Sequence, residues 1–84
     1  MNLYSVYDEV AQTFNAPFPE ANDKSAMRAF GTVCNDPASI LSKHPGDYYL
    51  YKVGLMDEHT GELMDFVPDR LCRGSDFIQE VSNV

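Results

Sequence analysis

Residues 47–67 read DYYLYKVGLMDEHTGELMDFV, and the fold turns on how this stretch is read. Tyr, Val and Leu crowd Tyr48 to Met56, and such side chains suit a pleated, half-buried surface. The run breaks at Asp57-Glu58-His59-Thr60-Gly61, which ends in the one residue that takes positive φ freely. A shorter apolar run, Leu63 to Val67, follows. The spacing predicts a β-hairpin with a Tyr-rich first arm and Leu63–Val67 as its second. In a strand, Tyr49, Tyr51, Val53 and Leu55 share one face, and Tyr48, Leu50, Lys52, Gly54 and Met56 share the other. Both faces are largely apolar, so this strand is expected at the centre of a sheet or against a partner.

Upstream, Asn2 to Asp8 reads as a first strand, with Tyr4 and Val6 on one face and Leu3, Ser5 and Tyr7 on the other. Thr13 to Glu20 reads as a second strand, with Phe14, Ala16 and Phe18 on one face. Pro17 and Pro19 each remove a ladder donor, so this strand is expected at an edge or only partly paired. Residues 22–35 are the clearest helix. Asn22 is a good N-cap, and Ala26, Met27, Phe30, Val33 and Cys34 form one apolar stripe opposite Lys24 and Arg28. Gly31 inside that helix points to a close approach or to simple tolerance. Ala38 to Lys43 is expected to add one short helical turn after Pro37. His44-Pro45-Gly46-Asp47 is a turn signal before the Tyr-rich strand.

Downstream, Pro68 is expected to break the sheet, and Ser75 to cap a short helix presenting Phe77, Ile78 and Val81 on one side. The expected fold is α+β: a ββαββ antiparallel sheet with one amphipathic helix packed on a face. It forms a single domain over 1–84, with a core over 2–67 and a C-terminal appendage over 68–84.

The formal net charge is −7, which repels phosphate backbones and anionic membranes and argues against non-specific nucleic-acid binding. No apolar run approaches the ~20 residues of a membrane span. The N-terminus lacks the charged and apolar regions of a signal peptide, so a cytoplasmic location is expected. Cys34 and Cys72 make no disulfide framework, and Cys34 reads as a small buried hydrophobe.

Candidate chemistry is sparse. The acidic turn at 57–62 lacks calcium-loop spacing, and His44 and His59 have no second ligand at metal spacing. No serine sits in a nucleophile-elbow context, and no phosphate loop exists. Enzymatic activity, a cofactor and a metal are not expected. Tyr48, Tyr49, Tyr51 and Lys52, joined by Arg70 and Arg73, form a candidate stacking platform for single-stranded nucleic acid. The competing reading places the tyrosines in the core and a subunit interface, and residue chemistry alone favours it.

Several segments together carry a family resemblance. LYSVYDEVA at 3–11 precedes a Phe-containing strand. ANDKSAMRAF at 21–30 follows, then HPGDYYLYKVGLMDEHTG at 44–61 and a short apolar strand. Over residues 2–67 the chain resembles the small nonstructural protein of gokushoviruses, single-stranded DNA phages of the Microviridae. The resemblance implies a nonstructural, DNA-binding protein with a part in viral DNA replication or the switch to single-stranded genome synthesis. With the residue chemistry it leads to the expectation of a non-enzymatic protein that supports viral DNA replication or genome packaging in the host bacterial cytoplasm. It assigns no functional residues. The alternative is an acidic interaction module that binds the phage replication initiator or a host replication protein without touching DNA. The two apolar faces of the Tyr-rich strand also predict a homodimer, joined through its tyrosines or through Phe77-Ile78. In a monomer, Phe77, Ile78 and Val81 would have to cover the outer face of the sheet.

Overall fold

A computed structural model describes residues 1–78. The fold is α+β, a five-stranded antiparallel sheet with one main helix across a face. The strands are β1 (Asn2–Asp8), β2 (Thr13–Phe14), β3 (Phe18–Glu20), β4 (Tyr48–Leu55) and β5 (Asp69–Arg73). Helices α1 (Asp23–Cys34) and α2 (Ile40–Lys43) lie between β3 and β4, and 3-10 turns span Pro45–Asp47 and Gly74–Phe77. β1 and β4 are central; β5 flanks β4, while β2 and β3 share the far edge of β1.

The expected second strand is split in two. β2 pairs Phe14 with Tyr7, whereas β3 pairs Phe18 with Tyr4. The register slips by one residue between them, and such a slip turns side chains to the opposite face. Phe14 and Phe18, expected on one face, therefore lie on opposite faces. Asn15 holds the break: its N–H donates to the Val6 carbonyl at 2.8 Å, and its carbonyl accepts from Ser5 Oγ at 2.6 Å.

The helix starts where its cap dictates. The Asn22 side chain accepts from the Ser25 N–H at 2.9 Å, and Ser25 Oγ accepts from the Asn22 N–H at 3.3 Å, the reciprocal arrangement that satisfies two orphan donors. Ala26, Phe30 and Cys34 face the sheet, where they join Tyr4, Leu41, Tyr48 and Leu50 in one core. Lys24 and Arg28 are exposed, as their phase requires. Val33, expected in the buried stripe, is 42% exposed, because the stripe is narrower than its sequence pattern. Burial pushes the Cys34 thiol up to about 11. Burial, then the Asp23 carboxylate that accepts its hydroxyl proton at 2.7 Å, keep Tyr4 protonated.

The hairpin differs from its expected form. After Leu55 only a single bridge, Met56 with Leu63, continues the ladder, and Leu63–Val67 is not a strand. The partner of β4 is β5, beyond Pro68. The core therefore does not end at residue 67: Asp69–Arg73 completes the sheet, and Phe77 packs on α1 with its ring centroid 5.9 Å from that of Phe30. That ring also lies where a Cβ on Gly31 would stand, 2.8 Å from its nearest atom, so the helical glycine reflects a close approach. Phe77 thus covers the helix side and not the outer face of the sheet. Val81, grouped with it above, lies outside the described residues.

The turn between Met56 and Leu63 is closed by Asp57, whose side chain accepts from the N–H groups of His59 and Thr60. Gly61 sits at φ +78° with nothing within 4 Å of its would-be Cβ. A substitution there meets no clash, so its cost is conformational alone. Gly61→Val is expected to lower stability by about 1 kcal/mol or more, while Gly61→Asn, which tolerates this region, should lose less. Urea denaturation followed by circular dichroism measures both.

Candidate nucleic-acid interface

Helix α1 covers one face of the sheet, and no element among the described residues crosses the other. Alternation decides what that open face presents. Tyr4, Val6, Tyr48 and Leu50 turn to the helix, so Ser5, Tyr7, Tyr49 and Tyr51 turn away from it. Tyr7 pairs with Tyr49, Ser5 with Tyr51, and Phe14 with Tyr7 from the edge.

Three rings form a floor. Ring centroids are 4.7 Å apart for Tyr7 and Phe14, 5.1 Å for Phe14 and Tyr51, and 5.9 Å for Tyr7 and Tyr51, all tilted or edge-on. Such edge contacts are favourable for aromatic quadrupoles. Phe14 is 42% exposed, and Tyr7 and Tyr51 are half-buried.

Two arginines join the floor because of a bulge. In a regular strand Arg70 and Arg73, three positions apart, would face opposite sides. The register between β4 and β5 shifts at Leu50/Tyr51, so that Arg73 pairs with Tyr49 and Arg70 with Tyr51. The extra residue lets Leu71 and Cys72 both pack on the core while both arginines reach the open face. The Arg70 guanidinium carbon lies 4.2 Å from the Tyr49 ring centroid and 5.6 Å from that of Tyr51; that of Arg73 lies 5.1 Å from Tyr49. Arg70 Nε donates to the Tyr51 hydroxyl at 3.0 Å, and Arg73 Nε to the Gly46 carbonyl at 2.9 Å. These bonds fix both guanidinium planes through Nε alone. The Tyr51 contact, together with the nearby Glu9, holds Arg70 in its charged form.

Of the six residues singled out from the sequence, Tyr49, Tyr51, Arg70 and Arg73 come together here. Tyr48 does not. It belongs to the core on the helix side, where burial, then Asp8 and Asp47, raise its pKa. Lys52 shares the phase of Tyr48, opposite to Tyr51, and its Nζ stands 5.5 Å from the Phe66 ring centroid. Tyr49 is in the cluster but not at its surface. It is 6% exposed beneath the two guanidinium groups, and its hydroxyl donates to Glu9 at 3.5 Å. Tyr7 and Phe14 are the residues missed. The alternation of β1 already set Tyr7 apart from Tyr4 and Val6; Phe14 was hidden by the register slip.

The arrangement suits flat aromatic ligands on the Tyr7–Phe14–Tyr51 floor and an anion at the adjoining arginine edge. Among the described residues no three His, Cys, Asp or Glu side chains are placed to hold a metal ion, and no helix is long and apolar enough to cross a membrane. No curated protein and no solved structure matches the chain. The family model described as Phage ORF5 protein matches residues 1–77, nearly the whole chain, and the chain belongs to that family of phage proteins.

Proposed function

We propose that this protein is a non-enzymatic, nonstructural phage protein that binds single-stranded DNA on the open face of its sheet. In this reading it supports viral DNA replication or genome packaging in the host bacterial cytoplasm, in line with the resemblance to the gokushovirus protein. The observation that carries the proposal is the bulge in β5, which brings two fixed arginines beside three exposed or half-buried rings. Bases stack on aromatic side chains at about 1–3 kcal/mol each, without sequence preference. The net charge of −7 opposes phosphate binding at long range, so the affinity rests on stacking plus a local basic edge. Duplex DNA, whose bases are already stacked, is a poor ligand for such a face.

Fluorescence anisotropy with a labelled oligonucleotide tests this. Binding is expected at low salt, with log K falling by about 0.7 per neutralised phosphate for each tenfold rise in salt. Phe14→Ala should weaken it roughly 5- to 150-fold, the equivalent of one stacked base. Arg70→Ala with Arg73→Ala should flatten the salt dependence. Absence of binding at low salt would overturn the proposal.

A second reading, a protein-interaction module, is favoured by the connection between β4 and β5. There Leu63, Met64 and Val67 are 70%, 53% and 85% exposed among Asp57, Glu58, Glu62 and Asp65, with no Lys or Arg between Val53 and Pro68.

A further inference from the structure

We propose that this acidic, apolar arm docks on the open face of a second copy of the chain, and that single-stranded DNA competes with it there. The first observation is that the arm is built and not loose. The Met56 N–H donates to the Met1 carbonyl and the terminal amine to the Met56 carbonyl, both at 2.9 Å. The Met64 N–H donates to the Leu55 carbonyl at 2.9 Å, and the Asp57 N–H to the Glu62 carbonyl at 2.8 Å. A fixed hairpin that displays adjacent Leu and Met side chains is an interaction surface, since water disfavours that exposure.

The second observation is complementarity. The arm offers apolar side chains flanked by carboxylates. The open face offers an aromatic floor flanked by two guanidinium groups, held through Nε. Leu63, on one side of the extended arm, matches the Tyr7–Phe14–Tyr51 floor, Met64 on the other side adds apolar surface at its margin, and the flanking carboxylates of Glu62 and Asp65 match Arg70 and Arg73. Carboxylates suit an arginine fork geometrically as well as electrically.

The third observation is that one copy cannot satisfy itself. Leu63 is bridged to Met56, five residues along the strand from Tyr51, or about 17 Å at the rise of an extended chain. The same hydrogen bonds that build the arm keep it from folding back. Two copies related by a twofold axis can exchange arms reciprocally, the default closed arrangement for a small homo-oligomer. The acidic arm would then occupy the place of the phosphates, and free protein would shield its own face until a strand displaces it. The competition rests on the single-strand reading above; the contact between copies does not.

Charge reversal in two variants tests the contact. One carries Glu62→Arg and Asp65→Arg in the arm, the other Arg70→Glu and Arg73→Glu on the face. Sedimentation equilibrium at about 100 μM should give a dimer for the unmodified protein. Each variant alone should be a monomer, and their equimolar mixture should regain the dimer, because both reciprocal contacts are then complementary again. Leu63→Ser with Met64→Ser, which alters exposed side chains only, should also give a monomer, and should bind an oligonucleotide more tightly than the unmodified protein. A monomeric unmodified protein would overturn the proposal, as would a Leu63/Met64 variant that stays dimeric, or a mixture of the two charge variants that stays monomeric. A dimer that responds in this way while no form binds the oligonucleotide would uphold the contact and refute the single-strand reading. Oligonucleotide binding unchanged by the Leu63/Met64 variant would refute the competition alone.

Discussion

Phe30→Ala is expected to lower the stability of the domain by about 3–5 kcal/mol, the range for removing a buried Phe ring. Phe30 is 2% exposed and stands where α1 meets the sheet. Its ring meets that of Phe77 nearly at right angles, 86° between planes. It also borders the apolar groove lined by Val6, Phe18, Ala29 and Leu41. The site has little chance of closing over the lost ring. β1 and β4 are held on both sides by ladders, and α1 is pinned at its start by the Asn22 cap. A domain of this length has a total stability on the order of 4–13 kcal/mol, so the substitution should remove from about a quarter to all of it. The check is a urea titration followed by far-ultraviolet circular dichroism. An unchanged midpoint would mean that α1 does not pack on the sheet in this phase.

Gly74→Ala comes second. An ideal Cβ at Gly74 would run into the carbonyl oxygen of Pro45 and stand 3.2 Å from Cys34 Sγ. The first of these is backbone and cannot swing aside. Three elements meet here: the end of β5, the 3-10 turn before β4, and the last turn of α1. Overpacking of this kind costs about 1–3 kcal/mol and occasionally more. It should also reach the open face. Arg73, the neighbour of Gly74, is tethered to the Gly46 carbonyl in the same 3-10 turn as Pro45, so pushing that turn away shifts a guanidinium group off Tyr49. Gly46→Ala is the control, since nothing lies within 4 Å of its would-be Cβ; its stability should be nearly unchanged. Thermal melts of the two variants, with oligonucleotide anisotropy on each, separate the effects. Equal melting temperatures would show that the junction has room for a methyl group.

Local signals determined a good part of this fold. Asn22 capped the helix because a short side-chain acceptor satisfies its orphan donors, whatever lies beyond. Gly61 took positive φ because other residues resist it. The alternation of β1 assigned Tyr4 and Val6 to one face and Tyr7 to the other, and the spacing of Ala26, Phe30 and Cys34 chose the helix face that meets them. Each of these follows from chain geometry within a few residues, so the sequence alone was enough.

The open face was decided elsewhere. It depends on two one-residue slips, one between β2 and β3 and one between β4 and β5. A third, between β1 and β4, pairs Gly54 with Leu3 and so removes it from the face of Lys52. The first turned Phe14 outward, and the second put Arg70 and Arg73 on one side. A strand has a period of two, so one extra residue reverses every side chain beyond it. Nothing in residues 69–73 announces where that residue falls. It falls where Leu71 and Cys72 can both reach the core, and that depends on β4 and α1, distant in sequence. For the same reason Asp69–Arg73 read as an appendage although it completes the sheet. Its partners lie beyond Pro68 and an arm whose apolar residues imitate a strand, and only the packed sheet distinguishes the two.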